Sequence, residues 1–294
     1  MRRAIALHVA AASLIAGCAQ RTAGTVEAPA PRTETPSGIR SAERRPLPDV
    51  VRYGPCALRY VVTRRLRIAQ SFGGQSQVQD LGARIFVGVA VTGPADIAGY
   101  PASFTVDSIV PDSGTPQPIA DNLTKVRALV FAGRLATRGD FQGSTTSDTV
   151  TAQTIAQLVG TFRDFLPRIP AEGLKPGASW TDTNTVTQRG SGGAVTRRST
   201  THSQAIGWDD HTGTRSVRIE ASATYSVAGS GQNGGQPFEV NGTGSATARS
   251  FVAEDGRFLG GESQDSTTLT VSLPAQGLSI PVTQVLRSSI VVRP

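Results

Sequence analysis

Hydrophobic and polar residues alternate along most of the chain after about residue 58. Such alternation predicts strands with one buried face and one solvated face, as in antiparallel sheets. Glycine-rich breaks at residues 73–74, 192–193 and 229–235 predict hairpin loops between strands. The apolar residues that recur at period two are Leu58, Tyr60, Val62, Ile85, Val87, Val89, Val91, Phe104, Val106, Val217, Ile219, Ala221, Ala223, Tyr225, Val227, Leu269, Val271 and Leu273.

Residues 149–166 break this alternation with a helical period. Their apolar residues, which recur at i, i+3, i+4, i+7, i+10 and i+11, are Ile155, Leu158, Val159, Phe162, Phe165 and Leu166. We expect one central amphipathic helix, with N-cap oxygens between Ser147 and Thr151 and an end at Pro167. A stripe this complete must be covered, most simply by a curved sheet. The six side chains then line either a packed core or a cavity for an apolar ligand.

Two segments share a Gly-x-Phe-x-Gly motif and lie 117 residues apart in the sequence. They are residues 135–143 and residues 252–260. The spacing predicts two similar halves at about 58–145 and 178–262, within a single β-rich domain of residues 51–294. The predicted fold class is mainly β (α+β), a curved antiparallel sheet or incomplete barrel packed around the helix at 149–166.

The N-terminus has the pattern of a secretion signal. Arg2 and Arg3 precede an apolar run of about 13 residues, which is too short for a permanent membrane helix. The run ends in Leu-Ile-Ala-Gly-Cys at residues 14–18, which resembles the bacterial lipobox. The resemblance implies cleavage after Gly17 and acylation of Cys18, with palmitate among the chains, so that the lipid holds the protein to the membrane.

Residues 18–50 contain five prolines and no apolar period, and they predict a disordered tether. The residues after the lipidated cysteine, Ala19 and Gln20, resemble the outer-membrane sorting pattern. We therefore expect a lipid-anchored protein of the bacterial cell envelope, on the outer membrane and facing the periplasm. Cys56 has no intrachain partner once Cys18 is acylated, so it is expected to be a buried small hydrophobe or to form an intermolecular disulfide.

Two proline-rich segments near the middle of the chain carry a family resemblance. Residues 165–170 read Phe-Leu-Pro-Arg-Ile-Pro, and residues 174–180 read Leu-Lys-Pro-Gly-Ala-Ser-Trp. Together with the two Gly-x-Phe-x-Gly hairpins they resemble a family of uncharacterised bacterial β-rich lipoproteins, a domain of unknown function. Ala178 replaces the acidic residue of that pattern. The resemblance implies a layout similar to that of periplasmic and outer-membrane lipoprotein carriers, and it implies no known activity.

Charge and motifs exclude several functions. The chain has 29 basic and 22 acidic residues, and the basic residues form no block interleaved with aromatic residues, which argues against nucleic-acid binding. His202 and His211 are the only histidines after the predicted signal, and we expect no metal site. The fragments of Gly-x-Ser-x-Gly at residues 190–193 and 229–231 lack the strand-to-helix context of a catalytic serine, and no cofactor motif is present.

These observations predict a non-enzymatic envelope lipoprotein that binds a hydrophobic ligand or another envelope component. The alternative is a hydrolase acting on cell-wall or surface polymers. That alternative requires a cleft where two carboxylates, or His202 and His211, converge. The lipid-binding form of the first hypothesis requires an apolar cavity or groove beneath residues 149–166.

Overall fold

The structure, a computed structural model, describes residues 47–72, 74–152, 162–190 and 192–293. Cys18, the predicted signal and most of the predicted tether lie outside these ranges. Ile155, Leu158 and Val159 of the predicted helix also lie outside them.

Eleven strands make up most of the described chain, because the alternating segments favour extended backbone with one face buried. They are β1 Cys56–Phe72, β2 Gln75–Val91, β3 Tyr100–Pro111, β4 Arg127–Leu135, β5 Phe141–Thr146, β6 Ser179–Gly190, β7 Gly193–His211, β8 Thr214–Asn233, β9 Gln236–Ala253, β10 Phe258–Leu273 and β11 Leu278–Arg293. One short helix, α1 (Gln117–Thr124), connects β3 to β4. A 3-10 turn at Pro274–Gln276 connects β10 to β11.

All eleven strands belong to one antiparallel sheet, in the order β5-β4-β3-β2-β1-β11-β10-β9-β8-β7-β6. The sheet therefore consists of two meanders that join where β1 pairs with β11. It is curved and is not closed into a barrel, so β5 and β6 are its two edges. The predicted mainly β fold class is confirmed.

The two meanders contain matching turns. Between β4 and β5, Ala136 N–H donates to Asp140 O and Gly139 N–H donates to Ala136 O, at 2.8 and 2.9 Å. Between β9 and β10, Ala253 N–H donates to Arg257 O and Gly256 N–H donates to Ala253 O, at the same two distances. The two glycines have φ of 101° and 86°, in the left-handed region that favours glycine. The two Gly-x-Phe-x-Gly motifs thus form turns of one geometry.

The alternating apolar residues share one face of the sheet, which we call the inner face; the opposite face is the outer face. Two hydrophobic clusters lie on the inner face. The first cluster contains the inward residues of β2 to β5 and the neighbouring ends of other strands. The second cluster lies towards the other end of the long strands and includes Leu66, Val195, Val227, Leu269 and Val282.

Among the described residues, those outside the sheet that belong to a hydrophobic cluster all belong to the first one. Its members include Val51 and Tyr53 from the chain before β1, Leu123 from α1, and Ile169 and Leu174 from the chain before β6. Tyr53 Oη donates to Pro167 O at 2.6 Å, which ties the first described segment to the segment before β6. Every named member of the second cluster lies on a strand.

The predicted helix is correct at its start and wrong at its end. Residues 149–152 are helical, and the Asp148 carboxylate caps them by accepting from Thr151 N at 3.0 Å. Residues 162–166 form turns and bends instead. Phe162 has a left-handed backbone with φ of 55°, which no α-helix can contain, and Leu166 precedes a proline, which disfavours helical backbone.

Two other predictions about connections need correction. Gly229 and Gly231 lie inside β8, and the turn to β9 comes only at residues 234–235. Both glycines lie close to the backbone of the neighbouring strand: a Cβ atom on Gly229 would overlap Ala194 O. Glycine therefore fits within the strand here, and the glycine-rich stretch stays extended. The sequence analysis also missed α1, because its eight residues are too few to show a clear helical period.

Candidate functional site

Three of the six predicted ligand-lining residues are described, and all three are part of a packed core. Phe162, Phe165 and Leu166 are between 6 and 9% exposed. Phe104 lies 5.0 Å from Phe162 and 5.2 Å from Phe165, ring centroid to centroid. Phe131, Phe258 and Tyr60 complete the contacts of the two rings. Residues 162–166 thus place aromatic rings on the inner face at spacings typical of close packing.

A buried polar cluster, made of Arg197, Tyr225, Asp265 and Thr267, interrupts the second hydrophobic cluster on the inner face. Asp265 is 2% exposed and accepts from Tyr225 Oη, from Thr267 Oγ1 at 3.2 Å and from Arg197 Nη2 at 3.3 Å. The Arg197 guanidinium lies 3.6 Å from the centre of the Tyr225 ring. The Asp265 carboxylate and the hydroxyl groups of Tyr225 and Thr267 are therefore hydrogen-bonded, as burial requires, whereas Arg197 Nε is buried without a hydrogen-bond partner within the described residues.

These four residues come from strands that are not all neighbours. Arg197 lies on β7 and Asp265 lies on β10, with β8 and β9 between them. Three strand spacings amount to about 14 Å in a flat sheet. Because Arg197 and Asp265 are nevertheless in contact, the sheet must curve strongly towards its inner face. Tyr225 crosses β9 above Gly244, its direct partner in the pairing, where a Cβ atom would overlap the Tyr225 ring.

Burial dominates the electrostatics of this cluster. It raises the pKa of Asp265 to about 6, although Arg197 and the hydrogen bonds from Tyr225 and Thr267 act in the opposite direction. Burial and the charge of Asp265 also raise the pKa of Tyr225, which keeps that phenol protonated as a donor. The cluster therefore changes charge in mildly acidic solution.

The outer face of β6 to β10 carries rows of hydroxyl groups that run across the strands. Strand pairing aligns one row as Thr183, Thr200, Thr224, Ser245 and Ser266. The next row contains Thr185, Arg198, Ser226, Thr243 and Thr268. Neighbouring hydroxyl groups within a row are about 4.8 Å apart along the direction of the backbone hydrogen bonds.

Two shallow grooves lie among these rows on β6 to β9. The first groove has a volume of about 670 Å³, and its outward side chains are Thr183, Thr185, Arg198, Thr200, Thr224, Ser226 and Thr243. The second groove has a volume of about 590 Å³, and its outward side chains are Ser179, Thr181, His202, Gln204, Glu220, Ser222, Thr247 and Arg249. The inward residues between these positions contribute the floor. A twisted open sheet is saddle-shaped, which explains how its outer face can be hollow here.

The two grooves differ in charge. In the second groove, Glu220 Oε1 lies 3.8 Å from Arg249 Nε and 3.7 Å from Arg218 Nε, so the only acid among its lining residues is already paired. Arg198 is exposed at the first groove, and none of the ion pairs within the described ranges involves it. The first groove therefore presents a guanidinium surrounded by hydroxyl groups.

The structure does not bring His202 and His211 together. His202 and His211 are nine positions apart on β7, which corresponds to about 30 Å. His202 instead bonds to Thr181 Oγ1 at 2.8 Å, and His211 stacks on Phe251.

Asp140 and Asp164 share Arg168 as an ion-pair partner. Arg168 Nη2 contacts Asp140 at 2.5 Å and Asp164 at 3.8 Å, so its guanidinium occupies the space between the two acids. An acid–base pair would need that space for substrate. Within the described ranges, no group of three or more His, Cys, Asp or Glu side chains could hold a metal ion. None of the helices in those ranges is long and apolar enough to cross a membrane.

Comparison with protein-family models gives no match, and comparison with curated proteins gives none either. The function is therefore argued from geometry and from the sequence pattern.

Sequence reasoning missed both the buried polar cluster and the grooves. A signal for the cluster was available, because Asp265 has the same parity as Leu269 and Val271 and so faces inward with them. The hydroxyl rows could not be seen, since they depend on the register between strands far apart in the sequence. Cys56 is half-buried and has no disulfide partner within the described chain, and burial raises the pKa of its thiol.

Proposed function

We propose that this protein is a non-enzymatic lipoprotein of the bacterial cell envelope that binds another envelope component through the outer face of β6 to β9. The observation that carries the proposal is the pair of adjacent grooves on that face, about 670 and 590 Å³ in volume. A concave surface rich in hydrogen-bonding groups favours a polar partner.

The N-terminal pattern supports the location. Acylated Cys18 would hold the protein to the outer membrane, and the tether would let the folded part reach partners in the periplasm. The packed rings of Phe104, Phe162 and Phe165 support a structural role for the described inner face. The outer face then remains as the surface that can accept a large ligand without unfolding the core.

The anchor is tested by metabolic labelling with palmitate and by membrane fractionation. We expect the wild-type protein to carry label and to sediment with the outer membrane. Cys18→Ser should abolish the label, and the matched control Cys56→Ser should retain it. Absence of label from the wild-type protein, or label that survives Cys18→Ser, would overturn the anchoring part of the proposal.

The binding surface is tested by filling a groove. Thr224→Trp places an indole in the first groove, and Thr270→Trp places one on the same face of β10 outside both grooves. The mature proteins, purified in detergent, are sedimented with lipid-extracted envelope fragments. We expect the wild type and Thr270→Trp to co-sediment and Thr224→Trp to remain in the supernatant. Equal behaviour of all three proteins would exclude this face as the binding surface.

A further inference from the structure

We infer that the first groove binds an anionic glycan, with a carboxylate or phosphate group at Arg198 and sugar hydroxyl groups against the surrounding serine and threonine side chains. This inference rests on the proposed function and names the class of its ligand.

Arg198 lies among hydroxyl-bearing residues of the first groove. It pairs directly with Thr185 on β6 and with Ser226 on β8, and Thr200 follows it at the next outward position of β7. Its guanidinium is therefore flanked by hydroxyl groups on both sides and along its own strand. A guanidinium can bind a carboxylate or phosphate through two parallel hydrogen bonds, and neighbouring hydroxyl groups can donate to the remaining oxygen atoms.

The charge of the first groove favours an anionic ligand. The outward side chains of the first groove include one cation and no acid. In the adjoining groove, Glu220 is neutralised by contacts of 3.8 and 3.7 Å with Arg249 and Arg218. An anionic chain that continues from the first groove into the second would therefore meet no unpaired carboxylate among their lining residues.

No large aliphatic or aromatic side chain is among the outward residues of the first groove. Tyr225 and Trp180 are the only Phe, Tyr or Trp residues that line the grooves, and both have the inward parity of their strands, while the outward His202 of the second groove is bonded to Thr181. An acyl chain or an apolar peptide would find little to pack against, and a nucleic acid would find no stacking platform. Serine and threonine both donate and accept, which suits a polymer whose units each carry several hydroxyl groups.

The buried polar cluster holds part of the groove floor in place. Tyr225 and Gly244 form part of the groove floor, and Tyr225 is held by its bonds to Asp265 and Thr267. The strands under the groove are thus fixed from the inner side before any ligand arrives. A surface that is already ordered loses less entropy on binding.

The test uses the mature full-length protein in detergent and three defined polymers. They are polygalacturonate (a uronic-acid polymer), a phosphorylated mannan, and dextran as the neutral control. Binding is measured by isothermal titration calorimetry at two salt concentrations. We expect at least one acidic polymer to bind and dextran not to bind, with affinity falling as salt rises. The acidic polymer that binds more tightly identifies the preferred acid. Failure of both acidic polymers, or equal binding of dextran, would overturn the inference.

Three variants then test whether the acidic group of the polymer binds at Arg198. Arg198→Ala should weaken binding by at least about tenfold, because it removes a charge-assisted pair of hydrogen bonds. Arg198→Lys keeps the charge but loses the planar fork, so it should lie between the wild type and Arg198→Ala. Arg287→Ala removes an arginine from the outer face of β11, away from both grooves, and should bind as the wild type does. An unchanged affinity in Arg198→Ala would overturn the inference.

The envelope co-sedimentation separates this inference from the proposed function. If Thr224→Trp abolishes co-sedimentation and Arg198→Ala does not change it, the outer face is the binding surface and its ligand is not an anionic glycan held by Arg198. If neither variant has an effect, the proposed function fails as well.

Discussion

The two meanders, β1 to β5 and β6 to β11, share their turn geometry and differ in what they place on the inner face. Positions 117 residues apart pair large side chains of the first meander with alanine in the second. These pairs are Phe104 with Ala221, Val106 with Ala223, Leu129 with Ala246, and Phe131 with Ala248. Both meanders keep a buried phenylalanine at the centre of the Gly-x-Phe-x-Gly motif, Phe141 and Phe258, each 3% exposed.

The two meanders thus have the same strand connectivity but different packing on their inner faces. The large side chains of the first meander pack against segments from outside the sheet, including Phe162 and Phe165. The small side chains of the second meander let the strands curve until Arg197 on β7 meets Asp265 on β10. The same curvature and twist accompany the grooves on the outer face. We therefore expect the first meander to be sensitive to loss of volume and the second to gain of volume.

The largest expected effect is truncation of a ring in the first meander. Phe104 is fully buried and stacks on Phe162, so Phe104→Ala should lower the free energy of unfolding by about 3–5 kcal/mol. Ala221→Gly, at the matching position of the second meander, should cost about 0.5–1 kcal/mol. Guanidinium unfolding monitored by circular dichroism measures both. Equal losses at the two positions would contradict the contrast between the meanders.

The next effect is the pH dependence of stability, which the second meander controls through Asp265. Burial raises its pKa in the folded protein to about 6 from 3.8, so the native state binds this proton more tightly than the unfolded chain does. Stability from this group is therefore greatest below about pH 4 and is lost as the pH rises through 6. The loss is about 2–3 kcal/mol between these values.

Asp265→Asn isolates this contribution, because it keeps the shape of the side chain and removes its titration. The free energy of unfolding of the wild type and of the variant is compared at pH 4.5 and pH 7. We expect the stability of the wild type relative to Asp265→Asn to be greater at pH 4.5 than at pH 7. A constant difference across this interval would mean that Asp265 does not carry the pH dependence.

The contrast between the meanders shows how far the sequence could predict the structure. Period-two alternation around Val87, Phe104 and Tyr225 identified the inner face correctly, since burial of one face is a local property of a strand. The helical period was misleading at Phe162, Phe165 and Leu166. Their apolar character reflects burial against Phe104 and Tyr60, and the same spacing arises in a compact loop that inserts its rings into a core.

The candidate site was harder to predict than the fold. Arg198 and Thr224 are 26 positions apart along the chain, and only the register of β7 with β8 places them in one groove. Likewise, Arg197 and Asp265 become partners only because the sheet curves across three strand spacings. Strand register and curvature are global properties of the sheet, so a local pattern of residue types does not reveal them.

A smaller effect concerns the two matching turns. A Cβ atom on Gly139 would overlap Pro167 O and the Tyr53 ring, and one on Gly256 would overlap Arg52 O. Both glycines also have positive φ, so Gly139→Ala and Gly256→Ala should each cost about 2 kcal/mol. Gly213→Ala is the control. Gly213 has φ of 76° and no neighbour within 4 Å, so its substitution measures the loss of stability from backbone strain without steric overlap. Unequal costs at Gly139 and Gly256 in thermal unfolding would separate the two turns energetically.

The smallest effect tests why the second meander keeps small inward residues. Gly244→Ala introduces one methyl group beneath the Tyr225 ring and should cost about 1 kcal/mol, because the ring is held by Asp265 and cannot swing away freely. In a Tyr225→Ala background the same substitution has no ring to displace. A double-mutant cycle from urea unfolding should therefore give an interaction energy close to the whole cost of Gly244→Ala. Additive costs would show that Gly244 is required for the backbone of β9 and not for the passage of Tyr225, and the small residues of this meander would need another explanation.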